Sequence, residues 1–374
     1  MSKSLGDSIR QHFKKLTDPR NPNVRHILSE IITIAICAII CGADSYTQFA
    51  EFGKSKEKWF RSFMQLPHGI PSHDTFGRVF SLLDPVQFKK LFRQWVIQAF
   101  PTGKDEVIAI DGKTLRRSHD RSNDKSPIHI VSAWASKLGI VLGQIKTDEK
   151  SNEIKAIPEL IKAIDIEEAI VTIDAMGCQK KIASNIVENK ADYVLALKEN
   201  HPDLLDDIKL FFNEQIHIES NPALDCFETI EGDHGRIETR RYYICSKVEW
   251  LASAHMWAKL KSIAMVERQR QIGDMISYEK AYYLSSIAKQ PEKIATAIRS
   301  HWSIENSLHW QLDVSFDEDH CRIRKGHAAE NLAVLRHIAL NLLKQEKSLK
   351  VGIKTKRLKA AWDDRYRAKV LNLA

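Results

Sequence analysis

The sequence predicts an α/β fold preceded by an all-helical amino-terminal region, and three observations carry that prediction. Apolar residues in 1–100 recur with helical spacing. Near residue 105 the period shortens, and two short apolar runs each end in an aspartate, EVIAID at Glu106–Asp111 and AIVTID at Ala169–Asp174. Strand-like and helical segments then follow in the order β-β-β-α-β-α-β, with a strand-rich interruption before helical order returns.

Each element has a local reason. Ile27–Cys41 is almost wholly apolar and reads as a buried helix. A second helix runs from about Ser45 to Met64, with Phe49, Phe52, Trp59, Phe60 and Phe63 on its inner side, until Pro67, Gly69 and Pro71 end it. A short helix spans about Asp74–Leu83. Asp84, Pro85 and Gln87 then supply an N-cap, a first-turn proline and a capping-box partner for a helix to about Ala99. The short helix pair, with Arg78 on it, reads either as a DNA-contacting helix-turn-helix or as plain helical packing.

Beyond the first strand a polar, basic segment runs from Gly112 to Ser126. Ile128–Ala135 and Ile140–Ile145 form a hairpin around Lys137–Gly139, and Ile154–Ile164 is helical. Gln179–Glu188 is a helix and Tyr193–Lys198 a fifth strand. Asn200–Phe212 is helical, and strand-like runs follow at Cys226–Ile230, Arg240–Cys245, Ser262–Glu267 and Glu279–Leu284. Pro291 opens a helix expected to reach Trp310, and Ala328–Leu343 is another. The domains expected are therefore 1–100, helical and with a DNA contact as one reading; 101–343, α/β, with a strand-rich stretch at about 200–290; and 344–374, a basic helix or extended arm.

Composition limits the function. With 374 residues, 43% apolar and 28% charged, the chain is an ordinary globular one of two or three domains, which excludes disordered, collagenous and mucin-like classes. The net charge of +8 is unevenly spread: residues 1–100 carry a net +6, 344–374 a net +7 and 101–343 a net −5. Basic ends around an acidic centre suit a protein that grips phosphates and works on them with metal-bound carboxylates; solvated helix faces are the plainer alternative. The six cysteines form no CxxC and no zinc-ribbon spacing, so reduced, mostly buried thiols in a cytoplasmic, nucleoid-associated protein are expected. No cleavable signal is apparent, and the most apolar stretch, Ile31–Cys41, holds 11 residues, too few to cross a bilayer, so no membrane partner is expected. There is no internal repeat or low-complexity tract.

Side chains at strand ends converge on ligands in α/β folds. Asp111 and Asp174 at adjacent strand ends could hold a divalent ion, with Glu305 on the helix after the interruption completing the cage. Magnesium takes hard oxygen ligands and keeps several waters, so a few carboxylates suffice. A lone strand-end Asp is more often a turn residue or helix cap, and a lone helical Glu is usually solvated; three in this order are harder to explain so. Asp313, Asp317, Glu318 and Asp319 form a rival source of the third carboxylate. His301, His309 and His320 do not suit zinc, since the first two lie two helical turns apart. Trp302 and Trp310 read as core anchors before base-stacking platforms, and DHGRIETRR (Asp233–Arg241) as a DNA-gripping hairpin or a polar turn.

Four stretches, IDGKTLR (Ile110–Arg116), GQIKTDEKSNEI (Gly143–Ile154), TIDAMGCQ (Thr172–Gln179) and AIRSHWSIENSLHWQLDVSFDED (Ala297–Asp319), resemble the DDE transposases of bacterial insertion sequences, most closely the ISAs-type family that includes the H-repeat-associated proteins. The resemblance extends to PSHDTFGRVF (Pro71–Phe80) and covers nearly the whole chain; one departure is Gly326-His327 where the family has Gly-Asn. It implies an RNase H-like catalytic domain, a mixed sheet flanked by helices with a β-rich insertion. It implies the triad Asp111, Asp174 and Glu305, two Mg²⁺ or Mn²⁺ ions, and cleavage at element ends to leave a 3′-hydroxyl that attacks target DNA. Double-stranded DNA, both element ends and target, is the partner implied, with a homodimer assembled on it. Lys113, Arg116, Arg117 and Arg121 after Asp111, Lys198 and Asn200 after the fifth strand, Arg236 in the hairpin run, and Arg299, His301 and Asn306 around Glu305 are placed to meet the backbone or its waters. Two other readings keep the fold: a transposase-derived DNA-binding protein that no longer mobilises an element, and a nuclease without strand transfer.

Overall fold

A computed structural model gives the fold and describes residues 9, 11–119, 126–147, 153–218, 221–233 and 235–372. Arg121, residues 148–152 of the GQIKTDEKSNEI stretch, and His234 of the DHGRIETRR run lie outside the described residues.

The helical amino-terminal region is present. α1 (Leu28–Ile40) is buried along nearly its whole length, and its Thr33 hydroxyl donates to the Ser29 carbonyl at 2.7 Å rather than remaining unpaired in the core. The helix expected over Ser45–Met64 is instead two, α2 (Tyr46–Ser55) and α3 (Glu57–Phe60), because Lys56 leaves helical geometry at φ −114°, ψ 12°. Re-aimed there, Phe52 and Trp59 both close on the Arg367 guanidinium, with ring centroids 5.6 and 4.0 Å from it. α4 (His73–Leu82) is capped by Ser72 and carries Arg78 exposed. α5 (Pro85–Ala99) begins on the Asp84 cap with Pro85 in its first turn, as read from sequence. The capping box does not form: Asp84 accepts from Val86 N at 2.9 Å, while the Gln87 side chain turns to Thr17, accepting from its N–H at 3.0 Å and donating to its hydroxyl at 3.3 Å.

The α/β region follows as β1 (Val107–Thr114), β2 (His129–Ala135), β3 (Ile140–Thr147), α6 (Glu153–Ala163), β4 (Ile170–Ile173), α7 (Lys180–Glu188), β5 (Asp192–Leu197) and α8 (Pro202–Gln215). Next come β6 (Asp225–Asp233), β7 (Arg236–Cys245), β8 (Ser262–Ile272), β9 (Met275–Ser285), α9 (Pro291–Ile304), a π-helical turn (Glu305–His309), α10 (Trp310–Phe316), α11 (Ala328–Gln345), α12 (Ile353–Trp362) and α13 (Asp364–Val370). The long helix expected from Pro291 to Trp310 is thus interrupted at Glu305, where one turn widens.

The chain divides into two compact units, 102–111 with 153–304, and 1–101 with 112–152 and 305–374. In the first, β1, β4 and β5 are parallel and β5, β9, β8, β7 and β6 follow as antiparallel neighbours, a mixed sheet flanked by helices. The strand-rich interruption therefore extends this sheet through β5–β9. Its four strand-like runs lengthen into two full hairpins: β8 and β9 stay in register out to Ile272 opposite Met275, where Gly273 turns at φ +57°. α9 packs its Ile294, Ala295 and Ile298 on Tyr242, Ala264 and Val266 of the sheet.

In the second unit α11 is the central helix, packed on α1, α4, α5 and β3. Its buried asparagines take backbone partners: Asn341 exchanges bonds with Val141 of β3 at 2.8 and 2.9 Å, and Asn331 donates to the Phe80 and Leu83 carbonyls at 2.9 Å. Gly326 sits at φ +55°, and a Cβ there would lie 2.3 Å from the Ser81 carbonyl oxygen, so the departure at Gly326-His327 keeps the one residue this approach requires. The basic tail is helical and docked in its described part. Lys356, Arg357 and Arg367 are buried, with Arg357 donating to the Ile39 carbonyl at 3.0 Å and pairing with Asp44 at 3.1 Å. None of the six cysteines is in a disulfide; Cys37, Cys178 and Cys245 are buried, Cys41 and Cys321 partly so, and Cys226 is exposed. No helix among the described residues is long and apolar enough to cross a membrane.

Candidate functional site

Strand register carries Asp111 and Asp174 to neighbouring positions. β1 and β4 run parallel with Val107 opposite Ile170 and Ile110 opposite Ile173, so the next residue on each strand is an aspartate at the carboxyl end of the pair. The apolar residues before each acid are buried, which fixes the strands and leaves the acids at a partly exposed rim.

Asp174 is further oriented by the turn it caps. Its Oδ1 accepts from Met176 N at 3.1 Å and Gly177 N at 3.3 Å, opening a short turn over Ala175–Gly177. Gly177 is pressed onto the strand: a Cβ there would stand 2.2 Å from Ile173 Cγ2 and 3.1 Å from Ile157 Cδ1. The loop after β5 clasps this turn from the other side. Asn200 Nδ2 donates to the Ala175 carbonyl at 2.8 Å and the Cys178 carbonyl at 3.3 Å, and His201 Nε2 bonds the Cys178 carbonyl at 2.7 Å. Asn200, read from sequence as a backbone contact, is therefore a brace for the Asp174 turn. Burial, and secondarily the Asp174 carboxylate, push the Cys178 thiol up to about 12, so it is inert as a nucleophile.

α9 is anchored to the same strand. His301 Nδ1 and the Thr172 hydroxyl are 3.0 Å apart, and Thr172 lies two residues before Asp174. Glu305 follows His301 by four residues and begins the π-helical turn; it is half exposed, and its Oε2 lies 3.4 Å from Nδ1 of buried His309. Behind His309 in the same unit, His337 is completely enclosed. Burial first, then His309, Arg336 and Lys113, push its imidazole down to about 3, so it is neutral at physiological pH.

The rival carboxylates have other partners. Lys113, two residues beyond Asp111, is held between Asp313 at 2.6 Å and Asp319 at 3.0 Å, with Glu318 at 3.9 Å. Burial alone would lower its pKa, but Glu318, Asp313 and Asp319 together raise it above the ordinary lysine value. Glu318 also pairs with buried Arg336 at 3.4 Å, and Asp317 with His320 at 2.6 Å. Lys113 is thus caged by carboxylates, and the three histidines weighed as zinc ligands are each committed elsewhere, to Thr172, Glu305 and Asp317.

The other basic positions are more open. Arg116 is 81% exposed while touching Asp319 at 3.2 Å, and Lys198 and Asn306 are exposed. Arg117 is half-buried, its carbonyl accepting from Arg324 Nε at 3.0 Å. Arg299 pairs with Glu231 at 3.2 Å and Arg236 with Glu238 at 3.9 Å, both half exposed. Trp302 and Trp310 are exposed, contrary to the expectation of core anchors, because the buried stripe of α9 runs through Ile294, Ala297 and Ile298 and that of α10 through Leu312, Ser315 and Phe316. Sequence reasoning missed Thr172 and the β8 arginines Arg268 and Arg270; their signal lies in cross-strand register, which no local pattern carries.

Residues 102–342 match the family described as Transposase DDE domain, and residues 10–96 the domain described as DDE_Tnp_1-associated. The chain is 40% identical to "H repeat-associated putative transposase YhhI" of Escherichia coli (strain K12), over 97% of each. It is 42% identical to "Putative transposase YncI" of Escherichia coli O157:H7, over 97% of this chain and 94% of that protein. It is 40% identical to "Putative protein YbfL" of Escherichia coli (strain K12), again over 97% of each.

Proposed function

Because the chain belongs to the DDE transposases of bacteria, whose catalytic domain is RNase H-like, we propose that it cuts DNA at the ends of an insertion sequence and transfers the 3′-hydroxyl to target DNA. Asp111, Asp174 and Glu305 are the acidic residues of that reaction. The observation that carries the reading is the register of β1 and β4, whose last pair, Ile110 opposite Ile173, is followed on each chain segment by an aspartate. Glu305 is supported by the His301–Thr172 bond, which holds α9 on β4 one helical turn before it. Of the rival acids, Asp313, Glu318 and Asp319 already neutralise Lys113, Arg336 and Arg116.

The residues suit a hard divalent cation, since Asp111 and Asp174 offer carboxylate oxygens at a partly exposed rim of the sheet and Glu305 a half-exposed one. Two Mg²⁺ or Mn²⁺ ions bound there would supply an activated water and a stabilised leaving oxygen. The protein's own residues do the positioning. The Met176 and Gly177 amides hold one oxygen of Asp174, Asn200 and His201 brace the turn, and His301 fixes α9. Arg116, Arg117, Lys198, Arg236, Arg299 and Asn306 meet the phosphate backbone of double-stranded DNA. A homodimer paired on two element ends is the working assembly.

The test is to incubate purified protein and Mg²⁺ with the DNA flanking its gene and map the products. Cuts that leave a 3′-hydroxyl at inverted repeats, followed by joining to a second duplex, are expected. Tight binding of those ends with no cut in Mg²⁺ or Mn²⁺ would contradict the proposal and leave a DNA-binding derivative. Cuts without joining would leave a nuclease.

A further inference from the structure

The sheet face on which α9 packs continues outward into a cluster of arginines around one buried carboxylate. Side chains two apart on a strand share a face, and residues opposite one another across a ladder are neighbours. On β7, Arg236, Glu238 and Arg240 therefore share a face; Arg240 lies opposite Arg268 of β8, and Glu238 opposite Arg270. Glu238 is 4% exposed and touches all four guanidinium groups. Its Oε2 meets Arg240 closely and Arg236 at 3.9 Å, and its Oε1 lies 3.6 Å from Arg268 and 3.7 Å from Arg270. From α9, Arg299 joins the cluster through Glu231, which also binds Arg240 at 2.9 Å.

Five guanidinium groups share this face with four acidic positions, Glu238, Glu231, Glu279 on Arg268 at 3.2 Å, and Asp233 opposite Arg236 in the ladder, so the cations remain in excess by one. The excess points outward. Arg236, Arg270 and Arg299 have side chains 40–45% exposed, whereas Glu238 lies beneath them. The Nε atoms of Arg268 and Arg270 are buried beneath this surface and make no hydrogen bond among the described residues. Exposed Trp302 lies beside the cluster, with Arg268 5.8 Å from its ring centroid. A buried carboxylate that gathers four arginines and leaves their outer donors to solvent is a preformed anion cradle: it offsets the mutual repulsion of the guanidiniums before any ligand arrives. The guanidinium fork matches phosphate oxygens better than a lysine does.

We infer that this face, built by Arg236, Arg268, Arg270 and Arg299 over Glu238, is a phosphodiester-binding surface that holds the backbone of duplex DNA beside α9. The inference rests on the transposase reading and deepens it by assigning DNA contact to the β6–β9 extension. The opposite sheet face differs, since its Arg241 and Lys280 are met by Glu228 and Glu267 with no excess charge.

The test measures binding of a short fluorescent duplex of arbitrary sequence over a KCl series. It uses the wild type, Arg268→Gln with Arg270→Gln, and Arg241→Gln with Lys280→Gln, each pair removing two positive charges. The first pair should flatten the log–log salt slope by about 1.8 and weaken binding roughly 50-fold near ~0.1 M salt, as two lost phosphate contacts require. The second pair should keep the wild-type slope. Arg299→Gln, on an exposed helical position, should remove about 0.9 from the slope and serves if the first pair fails to fold. Unchanged slopes in the first pair and in Arg299→Gln, or equal losses in both pairs, would overturn the inference. So would binding of a polyglutamate peptide in preference to the duplex. Wild type that binds no duplex at all would instead sink the transposase reading on which it rests.

Discussion

Gly177→Ala is the smallest change that reaches the candidate site. The added Cβ would stand 2.2 Å from Ile173 Cγ2, where ordinary contact begins at 3.4 Å, so one partner must move by about 1 Å. Ile173 is a buried β4 residue whose neighbour is Asp174, and Gly177 N is itself a donor to Asp174 Oδ1. Either movement displaces the carboxylate. Overpacking of this kind costs about 1–3 kcal/mol of stability. A displacement of ~1 Å at a reacting group costs roughly 100-fold in rate. The assay pairs a denaturant melt with Mg²⁺-dependent cutting of one DNA end. The mechanism also predicts rescue: Ile173→Leu removes the Cγ2 branch, so the double variant should recover part of both losses, giving a coupling of about 1 kcal/mol or more in the cycle. Wild-type stability and cutting in Gly177→Ala alone would refute the reasoning. Additive losses in the double variant would place the clash elsewhere.

Three further outcomes follow from buried charges. Lys113→Met should cost about 3 kcal/mol or more in a urea melt, because it leaves Asp313 and Asp319 without their buried counter-charge. His337 is held neutral with its pKa pushed down to about 3 from 6.5. The unfolded chain therefore takes up a proton that the native state refuses as pH falls below about 6.5, and stability should drop by about 1.4 kcal/mol per pH unit from there toward pH 3; His337→Gln should remove that slope, read by urea melts at pH 7, 5.5 and 4.5. Arg367→Met should destabilise by about 2–4 kcal/mol in the same melts, since the Arg367 side chain is wholly buried against Trp59 and pairs with Asp364 at 2.7 Å.

What the sequence carried locally, it carried well. The Asp84–Pro85 start of α5 is set by its own residues, and β1 and β4 are marked by short buried apolar runs that lead to Asp111 and Asp174, although β1 runs on past Asp111 to Thr114. What was missed depends on residues far along the chain. Gln87 leaves the capping box because Thr17 offers it two bonds. The helix over Ser45–Met64 breaks at Lys56, where Phe52 and Trp59 meet a guanidinium more than 300 positions away. β8 and β9 run on through Arg268–Ile272 and Met275–Tyr278, partly or fully exposed stretches that carry no local strand signal until the ladder pairs them. Lys113 looks like a backbone-tracking lysine in IDGKTLR, and only the fold brings Asp313 and Asp319 around it. The basic tail looked like an arm for DNA, yet three of its cations are spent on carbonyls, carboxylates and rings inside the protein.

The central claim is that Asp111, Asp174 and Glu305 act as one acidic set. It is tested most directly by assaying Asp111→Asn, Asp174→Asn, Glu305→Gln and Asp317→Asn side by side on one pre-cut DNA end with Mg²⁺, with duplex binding measured on the same preparations. Asp317 is the suitable rival because it is exposed and, among the described residues, pairs with His320 alone, whereas Glu318→Gln would break a buried pair. The account predicts that the first three lose strand transfer alike while still binding DNA, and that Asp317→Asn retains it. A Glu305→Gln protein that transfers strands at the wild-type rate would contradict the account.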